Sequence, residues 1–325
     1  MIRKLDQERL TAELAALDAM LSQLDPQDYL SRVGLESRRE ELQESLARLR
    51  EHIDTQARVA LFFGGDPVIG SEGVKARFAS DAVGSFQDIL TNVWGTKQER
   101  PVATAGPIRN QELSNLHITA LLHGSMGFLL EELDPKGQAL FDSPLKDAAD
   151  EAAKIVSGFA DEDDSRFTAV IEELSPRVFK SVQKFLRYVH TDKATIRVVE
   201  GNTDLRIDAE GVERAWQRAE ASKVDEERVY MSGRLIGVIP IHRRFEFQPD
   251  GASMIFGTVG EDFGQSILQR MVTEQFIGKR WRGFFHKKLV ERAGRPPVDR
   301  YTLLRLEDEN SEPQTGPLDQ AIHQN

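Results

Sequence analysis

A chain of 325 residues that is 40% hydrophobic and 29% charged has the composition of an ordinary globular protein and room for two or three packed domains. It contains no cysteine, which excludes disulfides, thiolate metal centres and cysteine nucleophiles and leaves packing to hold the fold together. A formal net charge of −11 argues against indiscriminate binding of polyanions, since a negative surface repels phosphate at long range.

The first 56 residues read as a helical hairpin. Leu10, Leu14, Leu17, Leu21 and Leu24 recur at spacings of four and three, the a/d seam of a coiled coil. Asp25-Pro26 interrupts the pattern, and a second seam follows through Leu35, Leu42, Leu46, Leu49 and Ile53. Two or three heptads per seam are too few for a helix stable alone, so the hairpin is expected to pack on its own chain or on a second copy. A homodimer joined through Leu10, Leu14, Leu17, Leu21, Leu24, Leu42, Leu46, Leu49 and Ile53 is the expected assembly.

Residues 57–220 change period. ARVALFF is a strand, VIG and VKARF are shorter strand candidates about glycine turns, and a helix capped by Ser80 should run towards Trp94. LHITALLHG and SMGFLLEEL form a second strand pair about Gly124-Ser125. Helices follow from Ser143-Pro144 and from Ser165 or Ser175, where serine can cap and proline fits the first helical position. ATIRVVEG and TDLRID make a hairpin, and Asp208 caps a helix containing Trp216. Alternating hairpins and helices imply an α+β body, an antiparallel sheet covered on one side by helices. The charged run at 221–228 reads as a linker.

From 229 to 306 five apolar or alternating runs, VYMSGRLIGVI, RRFEFQ, SMIFGTV, KRWRGFF and YTLLRLE, are separated by turn residues and by one helical segment, Asp262 to Phe276. A helix between the third and fourth strands matches a small OB- or SH3-like β-barrel. This segment holds 13 Lys/Arg against 7 Asp/Glu, whereas residues 307–325 hold 5 acids and no Lys or Arg. The barrel is therefore a basic island, and the acidic tail is expected to be disordered. Arg243, Arg244, Lys279, Arg280, Arg282, Lys287, Lys288, Arg292 and Arg295 are the candidate macromolecule-binding residues, because cations interleaved with aromatics suit both backbone attraction and stacking.

Catalytic signatures are missing. GxSxG, GxxxxGK[ST] and GxGxxG do not occur, and His117 and His123 lack a third ligand nearby in sequence. Asp161 to Asp164 lack the alternation of a calcium loop and read as a helix-capping turn. Asp66, Glu72 and Lys75 are the nearest approach to a nuclease constellation, with loose spacing. No cofactor or metal is implied. MIRKLDQERL has no apolar core of signal-peptide length, and no run approaches the roughly 18 apolar residues of a membrane span, so a cytoplasmic protein without membrane insertion is expected. The sequence thus favours a non-enzymatic, bacterial-type adaptor or sensor that self-associates through its N-terminal helices and engages a protein through the barrel. Phage defence is a role for it that no residue motivates. A nucleic-acid-binding protein using the same barrel is the alternative, and a cryptic nuclease or other hydrolase the second alternative.

Overall fold

In the computed structural model the described residues are 2–25, 27–51, 55–98, 106, 108–122, 126–133, 142–201, 203–273 and 276–308. They form an α+β protein with eight α-helices, and its sheets are antiparallel except for one strand pair. Two compact units divide the chain, Met1–Ser222 and Lys223–Asn325.

The first unit opens with the hairpin, α1 (Arg3–Gln23) and α2 (Tyr29–Glu51), which pack on each other. Its five-stranded sheet has the order β4 (His117–Leu122), β5 (Met126–Glu131), β1 (Arg58–Gly65), β6 (Ala194–Glu200), β7 (Thr203–Ile207). Between β1 and β4 lie a two-residue hairpin pair, β2 (Val68–Ile69) and β3 (Gly73–Val74), and the long helix α3 (Ala76–Gln98). The helix thus begins within VKARF rather than at Ser80. Arg77 and Phe78 belong to a helical face, on which Phe78 meets Phe63 edge-on at 5.1 Å. The expected cap residues do cap. Ser143 accepts from Lys146 N at the start of α4 (Pro144–Ala160), Ser175 from Val178 N at α6 (Pro176–Thr191), and Asp208 from Gly211 N at α7 (Ala209–Glu220). A separate short helix, α5 (Asp164–Glu173), sits between α4 and α6, and Asp163 caps it by accepting from Ser165 N.

Strand alternation gives the sheet two faces. Leu61 and Phe63 of β1, with their register partners Phe128, Val198 and Ile196, face the helices. The opposite face is also covered: Ile2 and Leu5 of the N-terminus pack on Ala60, Phe62, Leu129 and Val199. Arg197, on that same face, donates to Glu8 at 2.9 Å and to Asp204 at 2.7 Å and lies 5.5 Å from the centre of the Phe62 ring. The base of the hairpin is therefore latched to the body sheet, and helices do not cover one side only. Arg197 donates to Asp204 and holds its carboxyl below the ordinary carboxylate range, against the opposing effect of burial. For a depressed carboxyl the stabilisation is present above the unfolded pKa, about 3.9, and disappears as pH falls through the lower folded value. Amide exchange of residues 2–12 is expected to accelerate first in that acid window, and Arg197→Met should produce the same local opening at neutral pH. Unchanged protection in Arg197→Met would show that the latch does not hold α1.

The second unit contains β8 (Ser222–Ile239), β9 (Arg244–Pro249), β10 (Ile255–Val259), α8 (Gln265–Thr273), β11 (Arg280–Arg292) and β12 (Arg295–Asp308). Its strands close in the order β10, β12, β11, β8, β9, with β10 and β12 parallel. Leu235, Val238, Phe245, Phe247, Val259, Phe285 and Leu303 fill the interior, and Leu268 and Met271 of α8 join them. The expected linker 221–228 is instead the first part of β8, in which Val224 is buried. Likewise Glu307 and Asp308 end β12, opposite Arg282 and Trp281, rather than starting a tail. The remaining tail, 309–325, lies outside the described residues, as do Ile53, His123 and Gly124-Ser125. Among the described residues no helix is long and apolar enough to cross a membrane.

Candidate macromolecule-binding face

The outer surface of the strand ring follows strand alternation, adjusted by one irregularity on β8 and one on β12. Beyond Leu235, which points inward opposite Phe247, a bulge before Gly237 resets the phase of β8, so that Ile236 and Ile239 are both exposed while Val238 faces the core. A second register shift falls on β12, where Leu304 is extra between Leu303, opposite Phe285, and Arg305, opposite Phe284; β11 itself alternates regularly there, with Gly283 and Phe285 buried and Phe284 half-buried on the outer side. The outward positions of β8, β9, β10, β11 and β12 thereby include Tyr230, Arg234, Arg244, Phe256, Arg282, Phe284 and Arg305.

Four of these form a ladder. The Tyr230 and Phe284 rings stack at 4.5 Å, the Arg282 guanidinium lies 4.7 Å from the centre of Tyr230, and that of Arg305 lies 5.5 Å from the centre of Phe284. Arg305 also donates to Tyr230 Oη at 3.0 Å and pairs with Glu307 at 2.9 Å. Cross-strand aromatic and cation–π contacts of this kind fix side-chain orientation before any ligand arrives. Among the described residues Arg282 has no carboxylate partner, and the exposed Arg234 and Arg244 make no hydrogen bond or ion pair through their side chains. Phe256, 59% exposed, stands beside Glu246 on the neighbouring strand, and Ile241 at the β8–β9 turn is 85% exposed.

The nine cations expected to form the site are not brought together. Arg243 has φ 49° and folds its guanidinium onto the carbonyls of Val259 (3.2 Å), Gly260 and Phe263 (3.1 Å), so it braces the β8–β9 turn against the exit of β10. Arg280 pairs with Asp250, and Lys287 lies 3.6 Å from both Glu227 and Asp299. Arg280 and Arg292 stand at opposite ends of a 13-residue strand, roughly 40 Å apart at about 3.3 Å per residue. Lys288 lies opposite Arg300, and Arg292 opposite Arg295 at the far turn of the β11–β12 ribbon. Among the predicted cations, Arg244, Arg282 and the exposed Lys279 have neither a described carboxylate partner nor the backbone contacts that hold Arg243. Tyr230, Arg234, Phe284 and Arg305 were not singled out. Tyr230, Arg234 and Phe284 alternate regularly with the buried Gly233, Leu235, Gly283 and Phe285, so period two could have marked them as outward; Arg305 is outward only because β12 gains a residue, Leu304, between Leu303 and Arg305. One signal was present: the acids Glu226 and Glu227 reach His286 (3.3 Å) and Lys287 (3.6 Å), a charge match that marks 221–228 as a strand partner.

The first unit holds no comparable constellation among its described residues. A cleft of about 380 Å³ at the start of α7 is lined by Asp161, Glu162, Arg206, Asp208 and Arg214. Asp208 is engaged as a cap, Arg214 donates to Ala160 O at 3.0 Å, and Asp161 accepts from Asp163 N and Arg166, each at 2.9 Å. Asp66, Glu72 and Lys75 are exposed and share no side-chain hydrogen bond or ion pair. No group of three or more His, Asp or Glu among the described residues could hold a metal ion. Comparison of the chain with protein-family models, with curated proteins and with solved structures finds no match, so the reading of the outer face rests on its geometry.

Proposed function

We propose that the protein is a non-enzymatic adaptor that self-associates through its N-terminal helices and binds a partner protein through the outer face of a C-terminal OB-like barrel. The strand order supports an OB-like over an SH3-like reading. Counted from β8, the strands run first, second, third, fifth, fourth and back to the first, the third and fifth are parallel, and the helix falls between the third and fourth. That is a fold-level analogy; the function rests on the face itself.

The observation that carries the reading is the pre-ordered Arg282–Tyr230–Phe284–Arg305 ladder, on a strand that also exposes Ile236 and Ile239 further along its length. Tyrosine, phenylalanine and arginine held rigidly together are the chemistry of protein-interface hot spots, because they bury large area with little rotamer entropy left to lose. Isoleucine gives bases little to stack on, and Glu307 and Asp250 neutralise two of the arginines, so an oligonucleotide fits this face less well. The second reading, single-stranded nucleic acid, draws on the exposed Phe256 near Arg244, one possible stacking platform with a phosphate contact.

A single variant series separates the two. Tyr230→Ala with Arg282→Glu in the full chain is expected to abolish a cross-linked partner seen with the wild type, whereas Lys288→Glu, on the far ribbon, should retain it. Capture unaffected by the double variant would remove the face from consideration. Fluorescence anisotropy with labelled DNA and RNA strands at two salt concentrations is expected to show no steep salt-dependent binding; tight binding that weakens with salt and is lost in Arg244→Glu would replace the first reading with the second.

A further inference from the structure

We infer that the protein dimerises through the distal half of the α1–α2 hairpin, using a knob of residues outside the leucine seams and a hole at Gly34 that the seam residues Leu24 and Leu35 help to wall. This deepens the self-association half of the reading above and is independent of the barrel half. The predicted seam works inside one chain. Leu10 and Leu42 are buried, Leu14, Leu17, Leu21, Leu24, Leu35, Leu46 and Leu49 are half-buried, and ion pairs Arg39–Asp18 (2.9 Å) and Arg38–Glu13 (3.7 Å) tie α2 to α1. A different set faces outward: Met20 is 56%, Tyr29 72%, Leu30 85% and Val33 46% exposed. These four side chains leave on the order of 400–500 Å² of apolar surface, more than half of the ~800 Å² that each partner of a standard interface buries.

Beside these knobs is a groove lined by Met20, Gln23, Leu24, Ser31, Gly34 and Leu35. Gly34 sits inside α2, where glycine weakens a helix, and nothing lies within 4 Å of the place its Cβ would take. The missing side chain leaves a hole where a knob from another helix can enter. Because one surface carries both the protruding Tyr29 and Leu30 and the vacant hole at Gly34, it is complementary to itself, which is the condition for a two-fold interface. A two-fold near Gly34 with antiparallel α2 helices brings Asp28 of each copy, just before α2, to the level of residues 38–41 of the other, Arg-Arg-Glu-Glu. Those arginines already pair with Glu13, Asp18 and Glu41, so charge is balanced there and the interface rests on shape and apolar area.

The test uses the full chain, whose lack of cysteine makes a single introduced thiol unambiguous. Sedimentation velocity over a concentration series is expected to show a dimer whose dissociation constant rises at least a hundredfold in Leu30→Asp, with unchanged far-UV circular dichroism because Leu30 is almost fully exposed. Gly34→Cys should form a covalent dimer under mild oxidation, since a disulfide needs Cα atoms within about 7 Å, and Arg48→Cys, nearer the base of the hairpin, should not. A chain that stays monomeric at all concentrations overturns both this interface and the self-association reading. A dimer indifferent to Leu30→Asp, with Gly34→Cys left unlinked, overturns this interface alone.

Discussion

Phe285→Ala is expected to destabilise the second unit by about 3–5 kcal/mol, the range for deleting a fully buried aromatic ring from a core that collapses only partly around the gap. Phe285 is 0% exposed and is the common neighbour of Phe247 (5.1 Å between ring centres), Phe245 (5.5 Å) and Tyr301 (6.5 Å). Those rings come from β9 and β12 while Phe285 belongs to β11, so its removal loosens three strands together. The ring also occupies the space where a Cβ on Gly283 would lie, which explains a glycine within that strand. Hydrogen exchange resolved by segment checks the expectation: amides of β8 to β12 should lose protection in Phe285→Ala, whereas Phe285→Leu, which keeps much of the volume, should cost under about 1.5 kcal/mol. Equal protection in the alanine variant and the wild type would mean that this ring does not hold the unit together.

The same residue shows how far the sequence could be read. Alternation in RRFEFQ and KRWRGFF identified the strands, and their order with an intervening helix anticipated a closed sheet, because one buried face imposes period two on each strand. Serine and aspartate caps located α4, α6 and α7 for an equally local reason. Reading failed where tertiary contact overrode local pattern. Residues 221–228 look like a solvated linker, and become strand because Glu226 and Glu227 meet His286 and Lys287 across the sheet. The cations on β11 and β12 look like one patch in composition, yet a strand spreads them along its length and interleaves Asp299 and Glu227 among them. Composition counts charges; it does not say which ends of a ribbon they occupy. The hairpin seams were legible as seams, but whether leucines meet within one chain or between two is a question of topology that heptad spacing leaves open.

Arg243 and Arg244 put that distinction to a direct test, since they are adjacent in sequence and alike in composition. Arg243→Ala removes charge-assisted hydrogen bonds to three carbonyls and leaves those acceptors to find other donors in a partly buried turn. A loss of about 2–3 kcal/mol in the stability of the second unit is expected from it. The residue also carries φ 49°, a left-handed conformation that glycine adopts without strain, so Arg243→Gly should recover a few tenths of a kcal/mol relative to Arg243→Ala without restoring the bonds. Arg244, on the outward row between Ile239 and Thr258, should behave in the opposite way. Its replacement by alanine is expected to change stability by less than about 0.5 kcal/mol, the usual range for an exposed side chain without partners, while weakening partner binding by tenfold or more if that row belongs to the interface. Urea unfolding followed in the second unit, together with partner affinity at a fixed folded concentration, measures both. Arg244→Ala that unfolds the unit, or Arg243→Ala that leaves it intact, would reverse the assignment of brace and contact and with it the orientation of the face that the adaptor reading requires.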